Sequence, residues 1–426
     1  MAKDRIITTI DIGSSKIAVL IAEYIDDESI QIIGVASVIS KGVKKGVIVD
    51  IDQAVDSINE ALEAAERMAG IQITKVWITV NGNHIASVNS QGVVAVASAD
   101  GEISANDVER VIEAAKAISI PSSREIIHVL PRTFIVDQQE GIDDPIGMSG
   151  NRLQVETHII TGAATSMRNL IKSVQQVGLD VDNVIFSGLA TGESLLTETE
   201  KELGVVVVDI GGGTTDLVVY QEGAPTYSSV IKLGGKNITS DIAIGLRVPL
   251  EDAETIKKYV STSKNTPVTS AGVKTIEDEF IDISELALPS LQKIERKYLV
   301  EGIIEPRLEE IAEEIEREIS KSGFDGLTPA GVVIGGGTAQ TIGLQSVFSK
   351  ILDMPVRIAQ PTGVTGLIDE IKGPDYAASV GSILYATHHH EGSASMLSTL
   401  PKLSLNFGGF QTIKNKIVGL FKGFSS

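Results

Sequence analysis

A chain of 426 residues that is 42% hydrophobic, 22% charged and 4% aromatic has the make-up of a packed globular protein and is long enough for about two to four domains. Its 56 acidic and 36 basic residues leave a net charge of −20, which repels a phosphate backbone, so no nucleic acid is expected as a partner. Without a single cysteine, disulfides and thiolate metal sites are excluded.

Met1 to Arg5 run directly into a strand pattern, so no signal segment is expected, and no 18-residue apolar run appears. Ile6 to Ile10 and Ile17 to Ile21 read as two strands around an Asp-Ile-Gly-Ser-Ser turn. Val55, Ile58, Leu62 and Ala65 fall at helical spacing within Gln53 to Met68. Val76 to Val80 is strand-like. From His84 to Glu156 short strands surround one helix near Ala105 to Ile118, with Asn106 as its expected cap and Glu109 three residues on. A strand at Thr157 to Thr161 precedes a helix from Ser166 to Val177 that ends at Gly178.

The stretch Val205 to Tyr220, VVVVDIGGGTTDLVVY, interrupts a buried strand with three glycines and two threonines. Beyond it, Asn237 to Gly245 and Asp252 to Val260 read as helices, and Ser261 to Thr275 as a surface loop. Pro306 opens a long helix with Leu308, Ile311, Ile315 and Ile319 on one face; the eight glutamates between Glu301 and Glu318 read as its solvated face. His388-His389-His390 reads as an exposed helix end, because three adjacent residues cannot all face one ion. From Gly392 to Ser426 there are four lysines and no acidic residue, an acidic body ending in a basic tail.

The design of Val205 to Tyr220 occurs twice. Asp11-Ile12-Gly13-Ser14-Ser15-Lys16 and Asp209-Ile210-Gly211-Gly212-Gly213-Thr214-Thr215 each follow an apolar strand and precede another, 198 residues apart. A third turn, Gly335-Gly336-Gly337-Thr338, also follows a buried strand. Glycines let backbone amides approach an anion, and hydroxyls add donors for phosphate oxygens. An ordinary hairpin is the competing reading of one copy; two copies plus the third turn point to a polyphosphate, with Asp11 and Asp209 holding hydrated Mg²⁺ and Lys16 neutralising phosphate charge. No Walker loop is present.

These turns resemble the phosphate and adenosine motifs of the actin, sugar-kinase and heat-shock-chaperone superfamily, over about Ile6 to Ala386. The resemblance implies an α/β, duplicated actin-like ATPase fold with two lobes around an ATP cleft. It puts Gly234, Gly235, Lys236, Asn237, Glu254 and Lys257 near ribose and adenine, although Glu254 and Lys257 also fit a plain surface pair. Phe186 to Ala190 and Asp375 to Gly381 would be the two connecting helices.

His128-Val129-Leu130-Pro131, Asp143 to Met148 and Leu153 to Gly162 resemble, more closely, the FtsA family of bacterial cell-division proteins. That implies an inserted subdomain 1C at residues 84–160. Subdomain 1A would comprise 1–83, 161–200 and 375–390, subdomain 2A 201–230 and 303–374, and subdomain 2B 231–302. A linker at 391–409 and an amphipathic helix at 410–426 would follow. Ser187 falls where the prokaryotic actin MreB and the chaperones carry the glutamate that positions the attacking water, so weak or no ATPase activity is expected and ATP acts as a conformational ligand. Glu193 could substitute only if its helix turned it inward.

In the tail, Phe410, Ile413, Ile417, Leu420, Phe421 and Phe424 recur at helical steps, and Lys414, Lys416 and Lys422 avoid that stripe. The pattern fits a basic helix lying on an anionic bilayer; docking on the protein's own body is the alternative. One tail binds weakly, and side-by-side subunits in an actin-like protofilament would multiply it. The resemblance further implies the C-terminal peptide of FtsZ as a partner of subdomain 2B, for which Lys293, Arg296 and Lys297 are the test residues, though a solvated helix is the stronger reading of them. It also implies recruitment of later division proteins through subdomain 1C and a place on the cytoplasmic side of the membrane at the division site. A PilM-like pilus-assembly protein and a small-molecule kinase are the competing functions. A kinase leaves the tail unexplained, and a chaperone needs a substrate domain for which only 36 residues remain after His390.

Overall fold

The computed structural model describes residues 5–25, 29–262, 279–288 and 291–389. The first lobe opens with β1 (Ile6–Ile12), β2 (Lys16–Tyr24) and β3 (Ile30–Ile39), then a small hairpin of β4 (Val43–Lys44) and β5 (Val47–Ile48). Helix α1 (Ile51–Ala69) and β6 (Lys75–Val80) follow. Asp50 caps α1 by accepting from Gln53 N, and the helix ends at Gly70 in the left-handed region, so both ends are fixed by short-range chemistry.

An inserted unit then supplies β7 (Ala86–Ala95), α2 (Ala105–Lys116), β8 (Arg124–Val136), β9 (Gln139–Ile142) and β10 (Arg152–Ala163), in a four-stranded sheet of order β7-β10-β8-β9. The cap of α2 is Ser104, in a reciprocal capping box with Asp107, and not Asn106 as the sequence suggested. Asp107 is buried and accepts from both the Ser104 amide and hydroxyl, a pairing that Asn106 cannot offer from inside the first turn.

The chain returns through α3 (Ala164–Gln176), β11 (Asp180–Phe186), α4 (Ser187–Leu195) and α5 (Glu198–Leu203). The second lobe contains β12 (Val205–Ile210), β13 (Thr215–Gln221), β14 (Ala224–Ile231), α6 (Gly235–Leu246) and α7 (Leu250–Val260). Next come β15 (Phe280–Asp282), β16 (Lys293–Glu295), α8 (Arg296–Leu299) and α9 (Glu305–Ser322). The last elements are β17 (Val332–Gly335), α10 (Leu344–Leu352), β18 (Val356–Ile358), β19 (Thr365–Gly366), α11 (Ile368–Ile371) and α12 (Ala377–His388). Leu308, Ile311, Ile315 and Ile319 of α9 are all buried, as their spacing requires.

The duplication is explicit in the sheets. One contains the order β3-β2-β1-β6-β11 and the other β14-β13-β12-β17-β18; in both, the first three strands pair antiparallel and the rest parallel. This is the two-lobed, actin-like arrangement, with an extra unit inserted in the first lobe. Between the lobes α4 and α12 cross so closely that a Cβ on Gly381 would stand 1.6 Å from the Ala190 carbonyl oxygen. Only a glycine lets these two backbones meet.

Candidate functional site

Each central hairpin ends in the same turn. Gly13 N donates to the Lys16 carbonyl at 3.0 Å in one lobe, and Gly211 N to the Thr214 carbonyl at 2.9 Å in the other. The two turns face one another. A Cβ on Gly212 would lie 1.9 Å from Ser15 Oγ, and one on Gly213 2.9 Å from Ser14 Oγ, so the approach of the lobes here depends on missing side chains.

The third turn joins them. Gly335 pairs in register with Asp209, and Gly336 adopts φ +84° with its Cβ position 2.3 Å from Asp209 Oδ1. Thr338 Oγ1 donates to the Gly211 carbonyl at 3.0 Å. The first amides of α6 close onto the same loop, Gly235 N to the Gly211 carbonyl and Lys236 N to that of Gly212, while Gly234 N donates to Asn237 Oδ1. Lys236 Nζ crosses to the Ser14 carbonyl at 2.6 Å.

Carboxylates gather beneath these turns. Asp11 accepts from Thr79 Oγ1 at 2.7 Å and Ser379 Oγ at 2.8 Å. Asp209 accepts from Thr191 Oγ1 at 2.7 Å and keeps some surface open to the cleft. The surrounding protein nevertheless pushes its carboxyl up to about 6, chiefly by burial, with Asp11 and Asp375 adding and Thr191 and Lys16 opposing. Asp216, directly opposite Asp209 in the hairpin, is buried, and its Oδ1 has no hydrogen-bond partner. Burial and then the charges of Asp209 and Asp11 raise it well above the carboxylate range. Such a set fits a cation that would neutralise it, while the glycine-lined approach above fits an anion. No cluster of three or more metal-ligating side chains occurs among the described residues.

Lys16 Nζ bonds Asp375 Oδ2 at 2.7 Å and stands 3.3 Å from the centre of the Tyr376 ring. Gln340 Nε2 donates to the other Asp375 oxygen at 3.2 Å, which links the third turn to the first. Lys257 is buried, not the surface residue of the simpler reading. Its Nζ reaches Glu254 Oε2 at 2.7 Å, Thr239 Oγ1 at 2.9 Å and the Gly235 carbonyl at 3.1 Å.

Ser187 is buried, and its hydroxyl donates to the Val80 carbonyl at 3.2 Å. Glu193 is turned away from the carboxylate cluster toward Lys201 at 3.5 Å and His388 at 3.8 Å. The triple-histidine reading needs one correction. His388 is exposed, but His389 stacks on Tyr385 at 4.1 Å because its ring folds back along α12; His390 lies outside the described residues.

Lys293 and Lys297 are exposed, with Arg296 partly covered between them; Lys293 is on β16 and the other two on α8, so the cluster is a strand-helix junction and not one helix face. Phe410, Ile413, Lys414, Lys416, Ile417, Leu420, Phe421, Lys422 and Phe424 lie outside the described residues, as does most of the expected 261–275 loop. Among the described residues no helix is long and apolar enough to cross a membrane.

Sequence reasoning missed Thr79, Thr191, Asp216, Asp375, Tyr376 and Ser379. Asp216 alone carried a local signal, a carboxylate inside an otherwise apolar strand.

Comparison with known proteins agrees with this geometry. A family model described as "SHS2 domain inserted in FTSA" matches residues 82–161, and one described as "Cell division protein FtsA" matches 206–381. The cell division protein FtsA of Neisseria meningitidis is 40% identical over 392 residues, covering 92% of each chain. That of Borreliella burgdorferi is 38% identical, covering 98% of each. Among solved structures, the PilM-PilN type IV pilus biogenesis complex shares the fold with a TM-score of 0.64 at 18% identity, covering 91% of this chain and 99% of that one. MreB5 of Spiroplasma citri bound to ADP does so at 0.53 and 13%, covering 91% and 97%. With relatives this similar along nearly its whole length, the chain belongs to the FtsA family of cell-division proteins.

Proposed function

We propose that this FtsA-family protein binds ATP in the cleft, polymerises side by side on the inner face of the cytoplasmic membrane through its basic C-terminal segment, tethers FtsZ filaments there at the division site and recruits later division proteins. The observation that carries the reading is the convergence of three glycine turns on one carboxylate cluster, Asp11, Asp209 and Asp216, with Lys16 beside it and Lys236 bonded to the Ser14 carbonyl of the first turn. MreB5, which shares this fold, is described as bound to ADP.

Amides and hydroxyls of residues 13–16, 211–215 and 335–338 would hold the phosphates, and residues 234–237, Glu254 and Lys257 would lie beside the nucleoside. Asp11 and Asp209 would hold Mg²⁺ through water, the ion offsetting the mutual repulsion of the carboxylates. Neither Ser187 nor Glu193 is placed as a general base toward the cluster, since Ser187 bonds a carbonyl and Glu193 faces Lys201. ATP therefore serves as a ligand that favours one closure of the lobes, with weak or no turnover. The α4–α12 crossing is the natural hinge.

Four lysines near an anionic leaflet contribute about 1 kcal/mol each, and half-burying six large apolar residues adds roughly 5–8 kcal/mol. Ordering the segment removes several of these. Single tails bind reversibly, and a polymer makes attachment firm. A linker of about 20 residues spans roughly 25 Å, beyond the Debye length of about 8 Å, so the acidic body avoids repulsion from the surface. The alternative PilM-like reading rests on a fold likeness at low identity, against FtsA relatives at 36–40%.

The test is co-sedimentation with anionic vesicles, with and without ATP and FtsZ. Full-length protein should pellet with vesicles and bring FtsZ down, whereas protein ending at Leu400 should leave both in solution. Equal pelleting of the two forms contradicts the tether.

A further inference from the structure

The hairpin β4–β5 is a third body at the two glycine turns. Val43 and Ile48 are buried in the first lobe's core and anchor its two strands. Its tip, Lys45-Gly46, projects onto the site. Gly46 N donates to Ser14 Oγ at 2.9 Å. Across the cleft, a Cβ on Gly213 would lie 3.1 Å from Lys45 N as well as 2.9 Å from Ser14 Oγ. The tip therefore meets a turn from each lobe, Gly46 at Ser14 and Lys45 at Gly213.

Lys45 has φ +48° and Gly46 φ +73°, the paired left-handed turn for which asparagine or glycine is the usual first residue. The far side of the tip is fixed too, because the Cβ position of Gly46 is 2.2 Å from Asn81 Oδ1, a buried oxygen with no hydrogen-bond partner. The hairpin is thus held from three directions while Lys44 and Lys45 remain exposed.

Charge supplies the reason. Asp11, Asp209, Asp216 and Asp375 all surround the phosphate turns, and Lys16 already bonds Asp375. A polyphosphate adds several more negative charges. Lys236 is another nearby cation; burial lowers its proton affinity, Glu254 opposes that, and the charge of Lys44 lowers it, so the Lys44 ammonium is felt at the same site. We propose that Lys44 and Lys45, carried on the β4–β5 hairpin, form a cationic clamp over the polyphosphate of the nucleotide. This rests on the ATP reading above and adds two binding residues to it.

The experiment compares ATP, ADP and adenosine binding by calorimetry, in the presence of magnesium, for the full-length protein and the K44A/K45A variant. The variant should bind ATP about 10-fold or more weakly, ADP less so, and adenosine within twofold of the wild type, with a shallower dependence of ATP affinity on salt. Unchanged ATP affinity overturns the clamp. So does an equal loss for adenosine and ATP, which would mean that the hairpin merely supports Ser14. If the wild type binds adenosine and ATP equally, the clamp fails while the nucleoside site stands; if it binds neither, the ATP reading fails with it. Both lysines are exposed, so the variant should keep the wild-type melting temperature, and G46A, which must displace Asn81 and Gly82, serves as the structural control that shifts it.

Discussion

Lys16 and Asp375 are 359 positions apart and joined by an ion pair of 2.7 Å, with the lysine also 3.3 Å from the Tyr376 ring centre. The pair ties the first glycine turn to the entry of α12. It also makes Asp375 a competitor for any phosphate that needs Lys16. K16A should weaken ATP binding at least 10-fold, whereas D375N, which keeps the shape but drops the charge, should bind ATP as tightly as the wild type or several-fold tighter. Titration of a fluorescent ATP analogue checks this; a tenfold loss in D375N would show that Asp375 assists binding.

The buried acids make stability depend on pH with a definite sign. Asp209 has a folded value of about 6, and Asp216 is raised well above the ordinary one, so the folded state holds protons that the unfolded chain releases near 4. Their contribution is fully present below about pH 4 and is lost as pH rises, through about 6 for Asp209 and through its own raised value for Asp216. For Asp209 alone the loss is on the order of 2 kcal/mol, reduced by water reaching the cleft. D216N should therefore melt higher than the wild type at pH 7.5 without magnesium or nucleotide, and the gain should shrink toward pH 4.5. Thermal melts across that range decide it; a constant difference would mean that the charge of Asp216 is not the cause.

Helices α4 and α12 meet backbone to backbone at Gly381. In G381A the new methyl group would fall 1.6 Å from the Ala190 oxygen and 2.5 Å from its carbonyl carbon, with no flexible side chain to yield. Overpacking of this kind costs about 1–3 kcal/mol or more. Chemical denaturation should show a loss at the upper end of that range, together with weaker ATP binding because the two helices are pushed apart. An unchanged denaturation midpoint would argue against so close a crossing.

The insert also grips the second lobe. The His158 ring bonds Asn89 Oδ1 at 2.7 Å and Ser228 Oγ at 2.9 Å, and Ser87 Oγ donates to the Ser228 carbonyl, joining β10 and β7 to β14. Burial holds His158 down to about 3, so it stays neutral at physiological pH. H158A leaves Asn89 and Ser228 without this partner, for which about 1–3 kcal/mol of stability is lost. The melting temperature should fall without any change between pH 6 and 8. A pH-dependent deficit in that range would mean that the imidazole titrates there.

Elements with strong local chemistry were legible in the sequence. The spacing of Leu308, Ile311, Ile315 and Ile319 gave the buried face of α9, and the paired Asp-Ile-Gly turns gave the duplication that both sheets display. What escaped was long-range. Thr79, Thr191 and Ser379 come from three separate elements, and only the tertiary fold brings them onto Asp11 and Asp209. Ser104 outcompeted Asn106 as a cap because Asp107 answers it, a partner that a Glu109-based reading overlooked. The direction of Glu193 depends on the rotation of α4 against α12, which residue spacing does not specify.

The central claim is that the facing glycine turns clasp one ATP. Equilibrium dialysis of the full-length protein against ATP and magnesium tests it most directly. One ATP per chain, bound saturably and lost in K16A, is the result predicted; no saturable binding, or binding indifferent to K16A, would contradict it.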